Sequence, residues 1–482
     1  MAVKEIIGRK EEQDILQRKL ASDRPELIAV YGRRRVGKTY LVRTYFGKVM
    51  AFEMTGMHGA SMSDQLKNFS LALGQAIGSP APLQPAENWL MAFEDLDRYL
   101  VAGLPPNKPH VLFFDEFPWI HSPKSNFLQA FDHWWNHSAS RRSELKVVIC
   151  GSAASWMIDQ VINSRGGLHN RVTQTIRLLP FNLAETKTFL RRMGSGLDHY
   201  QVAQLYMAMG GVPFYLQHVL PGESAAQNID RICFRKDGPL RSEFNNLYRS
   251  LFADSGSHEK IIRALARKGK GLNRNEIIRA CGLTTGGKTT RVLRELEESG
   301  FITPYVPFGK MAYESIYKLS DEYSGFYLKF MDGQKMSGQG TWLRQFGTPA
   351  YTIWSGFAFE SVCHKHVVQI KKALGIEGVT TEESGWRFQP PRGSGGTGAQ
   401  IDLLLDRRDH CINICEMKFS IDRFVIDKKY AQELDRKVNV FRKETGTKKT
   451  LFPTMITTYG VEKNAYYADR VQGEVLLDDL FI

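Results

Sequence analysis

The chain of 482 residues is long enough for about three domains of ~150 residues each. Its hydrophobic fraction of 43% is ordinary for a globular protein, and no apolar run approaches the roughly 20 residues that a membrane span needs. The opening residues are charged and lack the apolar region of a signal peptide, and the six cysteines include no Cys-x-x-Cys pair. We therefore expect a cytoplasmic protein, with no membrane span and no disulfide framework.

The net charge of +13 favours a polyanionic partner, with nucleic acid as the first candidate. Lysine and arginine side chains bind phosphate backbones because they release condensed counterions. A basic surface that is merely solvated explains the same charge equally well. Charge alone leaves both interpretations open.

A glycine-rich segment near the N-terminus has the pattern of a phosphate-binding loop. An apolar run over 27–31 predicts a short buried strand, and a helix is predicted from Tyr40 onward. Between them, the sequence satisfies G-x-x-x-x-G-K-[ST], whose backbone N–H groups cradle phosphates at a helix N-terminus. Lys38 is predicted to neutralise the β- and γ-phosphates, and the Thr39 hydroxyl to hold Mg²⁺. The predicted nucleotide-binding residues are Gly32, Arg33, Arg34, Arg35, Val36, Gly37, Lys38, Thr39 and Tyr40.

A second apolar run, over 111–114, ends in two carboxylates about 75 residues after this loop. Asp115 at the end of a buried strand is predicted to bind the Mg²⁺ that Thr39 holds. Glu116 is predicted to orient or deprotonate the attacking water. The two segments together predict an NTPase site.

Two further residues are candidates for contact with the γ-phosphate. Ser152 follows a predicted buried strand at 146–150, where a γ-phosphate sensor can lie, although a serine in this place is often only a turn or cap. Arg171 is a candidate charge stabiliser, and its spacing fits a surface arginine equally well.

Strands alternate with helices up to about residue 180, which predicts a parallel α/β sheet with the nucleotide at the strand C-termini. The next segment, 181–254, is mainly helical and contains an abrupt turn at Gly-Gly-Val-Pro, 210–213. A polar, glycine-containing stretch over 331–347 predicts a linker.

The region 255–335 predicts a winged helix. Helices are predicted at 259–266, 274–280 and 290–298, followed by two short strands. The third helix begins in a segment rich in hydroxyl and basic groups, which suits contacts with phosphates or a groove. An interdomain packing module explains the region equally well.

The last domain, 345–482, carries carboxylates on a predicted hairpin. Glu416 and Lys418 lie on one face of the second strand because side chains alternate with a period of two. Asp402 joins that face if it pairs opposite Glu416 or Lys418, which without a bulge needs an odd number of loop residues, for example 408–410. Such carboxylates can hold Mg²⁺, while Lys418 positions the nucleophile or stabilises the transition state. Scattered surface charges are the alternative.

Two other features belong to this predicted site. Glu360, on a helix predicted at 354–374, could add a metal ligand. A later helix carries basic residues with two aromatic residues between them, which suits a phosphate-backbone groove and equally a solvated face. Its members are Lys428, Lys429, Tyr430, Arg436, Lys437, Phe441, Arg442 and Lys443.

The assembled pattern resembles a known family, the archaeal-type ATPases of the signal-transduction NTPase class, which is related to the AAA+ ATPases. The residues that carry this resemblance are Ile6-Ile7-Gly8-Arg9, the loop Gly32–Thr39, Asp115-Glu116, Gly151-Ser152 and Gly211-Val212-Pro213. The C-terminal half resembles the PD-(D/E)xK nuclease-like domain often fused to such ATPases, through Asp402 and Glu416-x-Lys418.

This resemblance implies a multidomain α/β protein. A P-loop NTPase domain with a parallel sheet would occupy 1–180, a helical lid 181–254, a winged helix 255–335 and a PD-(D/E)xK nuclease-like α/β domain 345–482. It also implies that Gly8 and Arg9 lie near adenine, that Pro213 contacts the base, and that Arg171 senses or stabilises the γ-phosphate.

The function that we expect is an ATP-dependent switch that controls a metal-dependent DNase-like domain. ATP with Mg²⁺ would order the lid and winged helix and promote formation of a homo-oligomer, with DNA as substrate and a protein as a further candidate trigger. One alternative is an ATP-dependent DNA-binding regulator whose nuclease fold is catalytically inactive. Another is an ATPase that senses a protein partner and contacts no nucleic acid.

Overall fold

The computed structural model describes residues 5–106, 108–163, 168, 170–252, 254–333, 338–390 and 398–482. Its contacts divide the chain into two compact units, the first formed by Met1–Pro180 with Glu298–Gly300 and the second by Phe181–Glu297 with Phe301–Ile482. Residues 334–337 of the predicted linker lie outside the described residues. In the described ranges, no helix has both the length and the apolar character needed to cross a membrane.

The first unit is a parallel sheet with helices on its two faces. The strands are β1 (Glu26–Tyr31), β2 (Met50–Thr55), β3 (His110–Asp115), β4 (Leu145–Gly151) and β5 (Gln174–Arg177). The helices are α1 (Lys10–Leu20), α2 (Lys38–Phe46), α3 (Met62–Ile77), α4 (Trp89–Gly103), α5 (Phe117–Ile120), α6 (Phe127–His137) and α7 (Ala154–Met157), with a 3₁₀ turn at Ala139–Arg141 and a π-helix at Ile158–Ile162.

The strand order is β2-β3-β4-β1-β5, and every neighbouring pair is parallel. The sequence prediction of a parallel α/β sheet is therefore confirmed. Strands β3 and β4 are buried along their whole length because helices cover both faces, which is why they read as continuous apolar runs. One face packs on a largely aromatic cluster that includes Phe93, Phe114 and Phe131, and the other on aliphatic residues around Val42 and Phe46.

The second unit begins with helices and ends in a mixed sheet. Its helices are α8 (Leu183–Arg192), α9 (His199–Met209), α10 (Pro213–Leu216), α11 (Ala225–Ile229), α12 (Glu243–Leu247), α13 (Gly256–Arg267), α14 (Arg274–Cys281), α15 (Gly287–Glu298), α16 (Glu322–Phe330), α17 (Thr341–Gln345), α18 (Pro349–Lys365), α19 (Val367–Ala373), α20 (Lys428–Thr445) and α21 (Ala465–Arg470). A π-helix spans Asp230–Phe234, and 3₁₀ turns span Ala312–Glu314 and Leu477–Phe481.

Two sheets lie in this unit. The first contains β6 (Leu272–Asn273), β7 (Ile302–Tyr305) and β8 (Ile316–Leu319) in the antiparallel order β6-β8-β7, so the two-residue strand β6 joins the two strands that the sequence predicts. The second contains β9 (Thr381–Phe388), β10 (Ala399–Arg407), β11 (Cys411–Lys418), β12 (Thr450–Thr457) and β13 (Gly473–Leu476) in the order β13-β12-β11-β10-β9. Strands β9, β10 and β11 pair antiparallel, whereas β12 pairs parallel with β11 and β13 parallel with β12.

The prediction of a linker over 331–347 is wrong for 338–347, which the structure describes. Trp342 on α17 is 1% exposed and packs against Phe326, Phe330 and Trp354. The carboxylate of Asp230 accepts hydrogen bonds from the backbone N–H groups of residues 340 and 342, each at 2.7 Å. A lone tryptophan in a polar stretch gives no hydrophobic period, so the sequence pattern did not reveal this anchor.

The Gly-Gly-Val-Pro turn has a steric cause. The N–H of Phe181 donates to the carbonyl of Gly211 at 2.7 Å, and a Cβ on Gly211 would stand 1.8 Å from the Phe181 carbonyl oxygen. The preceding Gly210 has a φ of +67°, a left-handed conformation that favours glycine. Helix α10 then begins at Pro213, a residue suited to the first position of a helix.

We expect Gly211→Ala to destabilise the second unit by about 2–3 kcal/mol or more, because the added methyl group forces the two backbone segments apart. Urea unfolding followed by tryptophan fluorescence measures the change. Gly196→Ala is the matched control, since a Cβ there meets no atom within 4 Å. Equal midpoints for the two variants would contradict the steric explanation.

Candidate functional site

The loop after β1 is shaped by a close approach of two backbone segments. Gly32 has a φ of +148°, and a Cβ there would stand 2.2 Å from the carbonyl oxygen of Leu178. The N–H of Leu178 donates to the carbonyl of Tyr31 at 2.7 Å, which fixes this approach. The loop therefore starts where a side chain cannot fit, and it leads into the N-terminus of α2 at Lys38.

The Lys38 ammonium group lies inside this loop. Lys38 is 5% exposed, and its Nζ donates to the carbonyl oxygens of Gly32 and Arg33, each at 3.0 Å. The two carbonyl oxygens hold this buried ammonium group inside the loop, beside the N-terminus of α2. An anion bound in the loop would meet both this charge and the backbone N–H groups.

Thr39 and Asp115 are in direct contact. The Thr39 hydroxyl lies 2.9 and 3.1 Å from the two carboxylate oxygens of Asp115, at the end of β3. Asp115 is 4% exposed, and this burial raises the pKa of its carboxyl group, while the Thr39 hydrogen bond acts in the opposite direction. A hydroxyl and a carboxylate this close form the oxygen donor set that Mg²⁺ prefers.

Glu116 and Ser152 form a second contact at the same edge of the sheet. One carboxylate oxygen of Glu116 accepts from the Ser152 hydroxyl at 2.8 Å and from the Ser152 N–H at 3.1 Å. Glu116 has a φ of +46°, which is uncommon for a residue with a side chain and often marks functional sites. The sequence singled out both residues separately but gave no sign that they touch.

The N-terminal segment packs on the phosphate-binding loop. Gly8 and Arg9 both have left-handed backbone conformations, with φ values of +62° and +55°. The Arg9 guanidinium donates to the Val36 carbonyl at 3.3 Å and lies 3.7 Å from the Glu12 carboxylate. Gln13, which the sequence analysis missed, donates to the Gly8 carbonyl at 2.7 Å.

The remaining predicted nucleotide-site residues differ in their surroundings. Arg33 is 3% exposed, whereas Tyr40 is 48% exposed and its hydroxyl lies 3.3 Å from the Glu5 carbonyl. The Arg34 guanidinium lies 6.0 Å from the centre of the Trp119 ring, and Arg35 has a φ of +72°.

Two further predicted residues belong to other segments of the chain. Arg171 lies in the turn before β5 with an exposed side chain, and its N–H donates to the Leu168 carbonyl. Pro213 belongs to the second unit, at the start of α10. The roles of these two residues stay predictions.

The hairpin of the second unit has the register that would bring Asp402 opposite Glu416. Leu403 pairs with Cys415, and the pairs continue antiparallel to Asp406 with Ile412. One step further along the two strands, the same register would set Asp402 opposite Glu416. The pairing of β10 with β9 shifts register between Ile401 and Leu404, so Asp402 lies within a β-bulge, a feature that often re-aims side chains near functional sites.

Glu416 is buried and already paired. It is 5% exposed, and its two carboxylate oxygens accept from Lys437 Nζ at 2.6 Å and from the Tyr430 hydroxyl at 3.2 Å. Burial lowers the pKa of Lys437, but the charge and hydrogen bond of Glu416, together with the charges of Glu433 and Asp402, outweigh burial, so the pKa is raised. The sequence placed both partners on a basic helix face but could not show that they reach this carboxylate.

Glu360 on α18 lies in the electrostatic reach of the hairpin. Burial raises the pKa of Glu360 to about 7, with a further contribution from the negative charge of Asp402. The Lys418 ammonium lies 4.8 Å from the centre of the Tyr430 ring, and Gln400 donates to Asp402 at 2.6 Å. Among the described residues, no group of three His, Cys, Asp or Glu side chains is arranged to hold a metal ion.

The chain is similar to several known proteins. Residues 7–219 match a family model described as an ATPase domain predominantly from Archaea. An uncharacterized protein of Methanocaldococcus jannaschii is 25% identical over 370 residues, which are 76% of this chain and 78% of that protein. An uncharacterized ATP-binding protein of the same organism is 49% identical over 39 residues, which are 8% of this chain and 66% of that protein.

The chain is also similar to solved structures, including two from Pyrococcus. The Walker-type ATPase of Pyrococcus abyssi has 15% identity and a TM-score of 0.46, over 67% of this chain and 96% of that one. The signal transduction ATPase with numerous domains and a tetratricopeptide repeat sensor, from Pyrococcus horikoshii, has 16% identity and a TM-score of 0.32, over 77% of this chain and 52% of that one.

We expect Asp115→Asn to raise the Tm of the ligand-free protein at neutral pH by a few degrees. The buried Asp115 carboxylate has a raised pKa, so it lowers stability once the pH exceeds its ordinary range, and the neutral amide removes this cost. The same substitution should abolish the extra thermal stabilisation that Mg²⁺ adds to that of ATP. Differential scanning fluorimetry measures both effects, with the exposed Asp14→Asn as control. A fall in Tm without ligand would contradict this expectation.

Proposed function

We propose that the archaeal-type ATPase domain within residues 7–219 hydrolyses ATP, and that this reaction switches a DNase-like domain in the C-terminal part of the chain. The observation that carries the first half is the pair of contacts Thr39–Asp115 and Glu116–Ser152 at one edge of the sheet. They bring a hydroxyl, two carboxylates and a second hydroxyl next to the loop that holds Lys38. This is the set of groups that phosphoryl transfer from ATP to water requires.

Each group has a role in this proposal. Lys38 and the backbone N–H groups of the loop bind the phosphates, and Thr39 with Asp115 would hold Mg²⁺, which offsets phosphate charge. Glu116 orients the attacking water and takes its proton, and Ser152 holds the Glu116 carboxylate in place. Gly8 and Arg9 are proposed to lie near adenine, with Pro213 from the helical lid on the base and Arg171 at the γ-phosphate.

We expect Glu116→Gln to lower kcat for ATP hydrolysis by about 10²–10⁴-fold while ATP affinity changes little, because a general base acts on the water and not on the bound phosphates. Phosphate release and titration with a fluorescent ATP analogue measure the two quantities. Glu94→Gln, on the exposed face of α4, is the matched control. Full turnover in Glu116→Gln would remove this residue from the mechanism.

The second half of the proposal concerns the C-terminal sheet. It is supported by the hairpin register, which would bring Asp402 opposite Glu416, and by the presence of Lys418 two residues further along the same strand. Glu360 is close enough for Asp402 to shift its pKa. We propose that Asp402 and Glu416 would hold Mg²⁺ for hydrolysis of DNA once Lys437 leaves Glu416, with Glu360 as a further candidate ligand, and that Lys418 would stabilise the charged transition state.

The three helices α13–α15 and the small sheet β6-β8-β7 have the order of elements of a winged helix. We propose that this region contacts DNA and that ATP binding orders it together with the lid. In this proposal the protein acts in the cytoplasm and self-associates when ATP is bound. The net charge of +13 supports a polyanionic substrate.

A second candidate function is a DNA-binding regulator whose nuclease fold does not cut. The ion pair between Glu416 and Lys437 at 2.6 Å favours it, because an ammonium group occupies the oxygen that a metal ion would need. Under this alternative, Asp402, Glu416 and Lys418 serve binding and fold stability only. Cleavage separates the two candidates.

We expect the protein to cut supercoiled or linear DNA with Mg²⁺ or Mn²⁺ in an ATP-dependent manner. Lys418→Ala should abolish cutting with ATP hydrolysis intact, because the two sites use different residues. Lys38→Ala should alter the response to ATP. The exposed Lys372→Ala on α19 is the charge-matched control, and gel electrophoresis of the products is the measurement.

The same samples distinguish the alternatives. Absence of cutting, with DNA binding that weakens steeply as salt rises, would favour the regulator, since phosphate contacts release counterions. Absence of both cutting and DNA binding, with ATP hydrolysis intact, would leave an ATPase that responds to a protein partner.

A further inference from the structure

The second unit contains a cavity of about 630 Å³. It lies among the small sheet, helices α16 and α18, and the hairpin formed by β9 and β10. Its volume falls in the range of about 300–1,000 Å³ that is typical of pockets for small organic ligands. The cavity is distinct from the phosphate-binding loop, which belongs to the first unit.

One wall of the cavity is apolar and partly aromatic. Trp354 and Leu403 are buried in this wall, whereas Ile353 and Phe357 remain 60% and 46% exposed. Large apolar side chains that line a cavity and stay exposed are in contact with water, which is unfavourable. A flat apolar group placed in the cavity would cover these two side chains.

The cavity lining also includes two residues with buried polar atoms. His364 Nε2 and Ser384 Oγ belong to residues that line the cavity, and neither atom has a hydrogen-bond partner among the described residues. Buried polar atoms in folded proteins are nearly always paired, so two unpaired atoms on residues that line one cavity would gain hydrogen bonds if a small rotation turned them toward a ligand with polar edges. Burial lowers the pKa of His364 to about 4, so the ring is neutral at neutral pH and provides one donor and one acceptor.

The charged residues of the lining do not select a strongly charged ligand. Glu322 and Lys365 form an ion pair at 2.5 Å, so their charges cancel. Lys318 from β8 and Glu360 from α18 also bring opposite charges to the same cavity. A neutral group with hydrogen-bonding edges therefore fits better than a phosphate or a carboxylate.

The cavity adjoins the hairpin of β10 and β11, which carries Asp402 and Glu416. Leu403, which lines the cavity, follows Asp402 directly, and Glu360 is common to the lining and to the candidate metal ligands. A Cβ on Gly385, another lining residue, would stand 3.3 Å from the Asp402 carbonyl oxygen. A molecule in this cavity is therefore next to the backbone that carries Asp402.

We propose that this cavity is a binding pocket for a nucleobase, carried either by an unpaired nucleotide of a strand or by a free nucleoside. A base has a flat apolar face for Phe357 and a neutral edge of donors and acceptors for His364 and Ser384. A base inside a duplex cannot reach such groups unless it leaves the stack. Binding of a base that belongs to a nucleic-acid strand rests on the proposed nuclease function, since it would place the sugar-phosphate backbone of that strand beside Asp402 and Glu416.

The test uses 2-aminopurine, a fluorescent base whose emission falls when it stacks on an aromatic ring. The full-length protein, with ADP saturating the phosphate-binding loop, is titrated with three probes. They are a single-stranded oligonucleotide with one 2-aminopurine, the same strand in a duplex, and free 2-aminopurine riboside. We expect strong quenching with the single strand or the riboside and none with the paired base. Quenching by the single strand alone identifies a strand-borne base, and equal affinity for the riboside identifies a free nucleoside.

Three variants test the contacts. Ser384→Ala and His364→Gln should each weaken binding of the unpaired probe by about 5–10-fold, the effect of one lost hydrogen bond. Thr381→Val is the matched control, because Thr381 lies on the same strand with a buried hydroxyl that also has no partner among the described residues but does not line the cavity. Its affinity should be unchanged.

The outcomes separate this proposal from the nuclease function. If wild-type protein does not quench either unpaired probe, or if Thr381→Val weakens binding as much as Ser384→Ala, the pocket is not a nucleobase site. Quenching that depends on Ser384 in a protein that never cuts DNA supports the pocket and removes only the nuclease. Cutting of DNA without quenching of either unpaired probe would support the nuclease function and rule out the nucleobase pocket.

Discussion

The parallel register of the first sheet is the constraint on which the candidate nucleotide site depends. Tyr31 on β1 pairs with Gly151 on β4, and Phe114 on β3 pairs with Ile149 on the same strand. The chain therefore leaves three neighbouring strands at one edge of the sheet. Thr39 reaches Asp115 across 76 residues of sequence, and Ser152 reaches Glu116 across 36, only because these strands are aligned.

The conformations and burial of the groups at this edge are energetically unfavourable, and the hydrophobic clusters on the two faces of the sheet offset this. Burial opposes the charge on Asp115, and Glu116 has a left-handed backbone conformation. An aromatic cluster on one face of the sheet and an aliphatic one on the other fix the strands that carry these residues. A strained and partly desolvated edge on a well-packed sheet is the arrangement expected where local preferences give way to function.

The sequence could predict features that follow from local spacing. The strand, loop and helix around Lys38 are one continuous segment, and the three-residue loop 408–410 that the sequence offered as an example is the loop that joins β10 and β11. Contacts between distant segments gave no such signal. The hydrogen bond from Ser152 to Glu116 and the ion pair of Glu416 with Lys437 depend on how the strands and helix α20 pack, which no residue spacing records.

The Glu416–Lys437 pair also limits what the second site can do. Two buried opposite charges at 2.6 Å stabilise each other, and removal of one would leave the other without compensation. For that carboxylate oxygen to bind a metal ion, the ammonium group has to move away, because both cannot occupy one place. Glu416 on β11 and the bulge at Asp402 on β10 lie on adjacent strands of the same hairpin, whereas Lys437 lies on helix α20. A movement of α20 relative to β11 would therefore free this oxygen of Glu416.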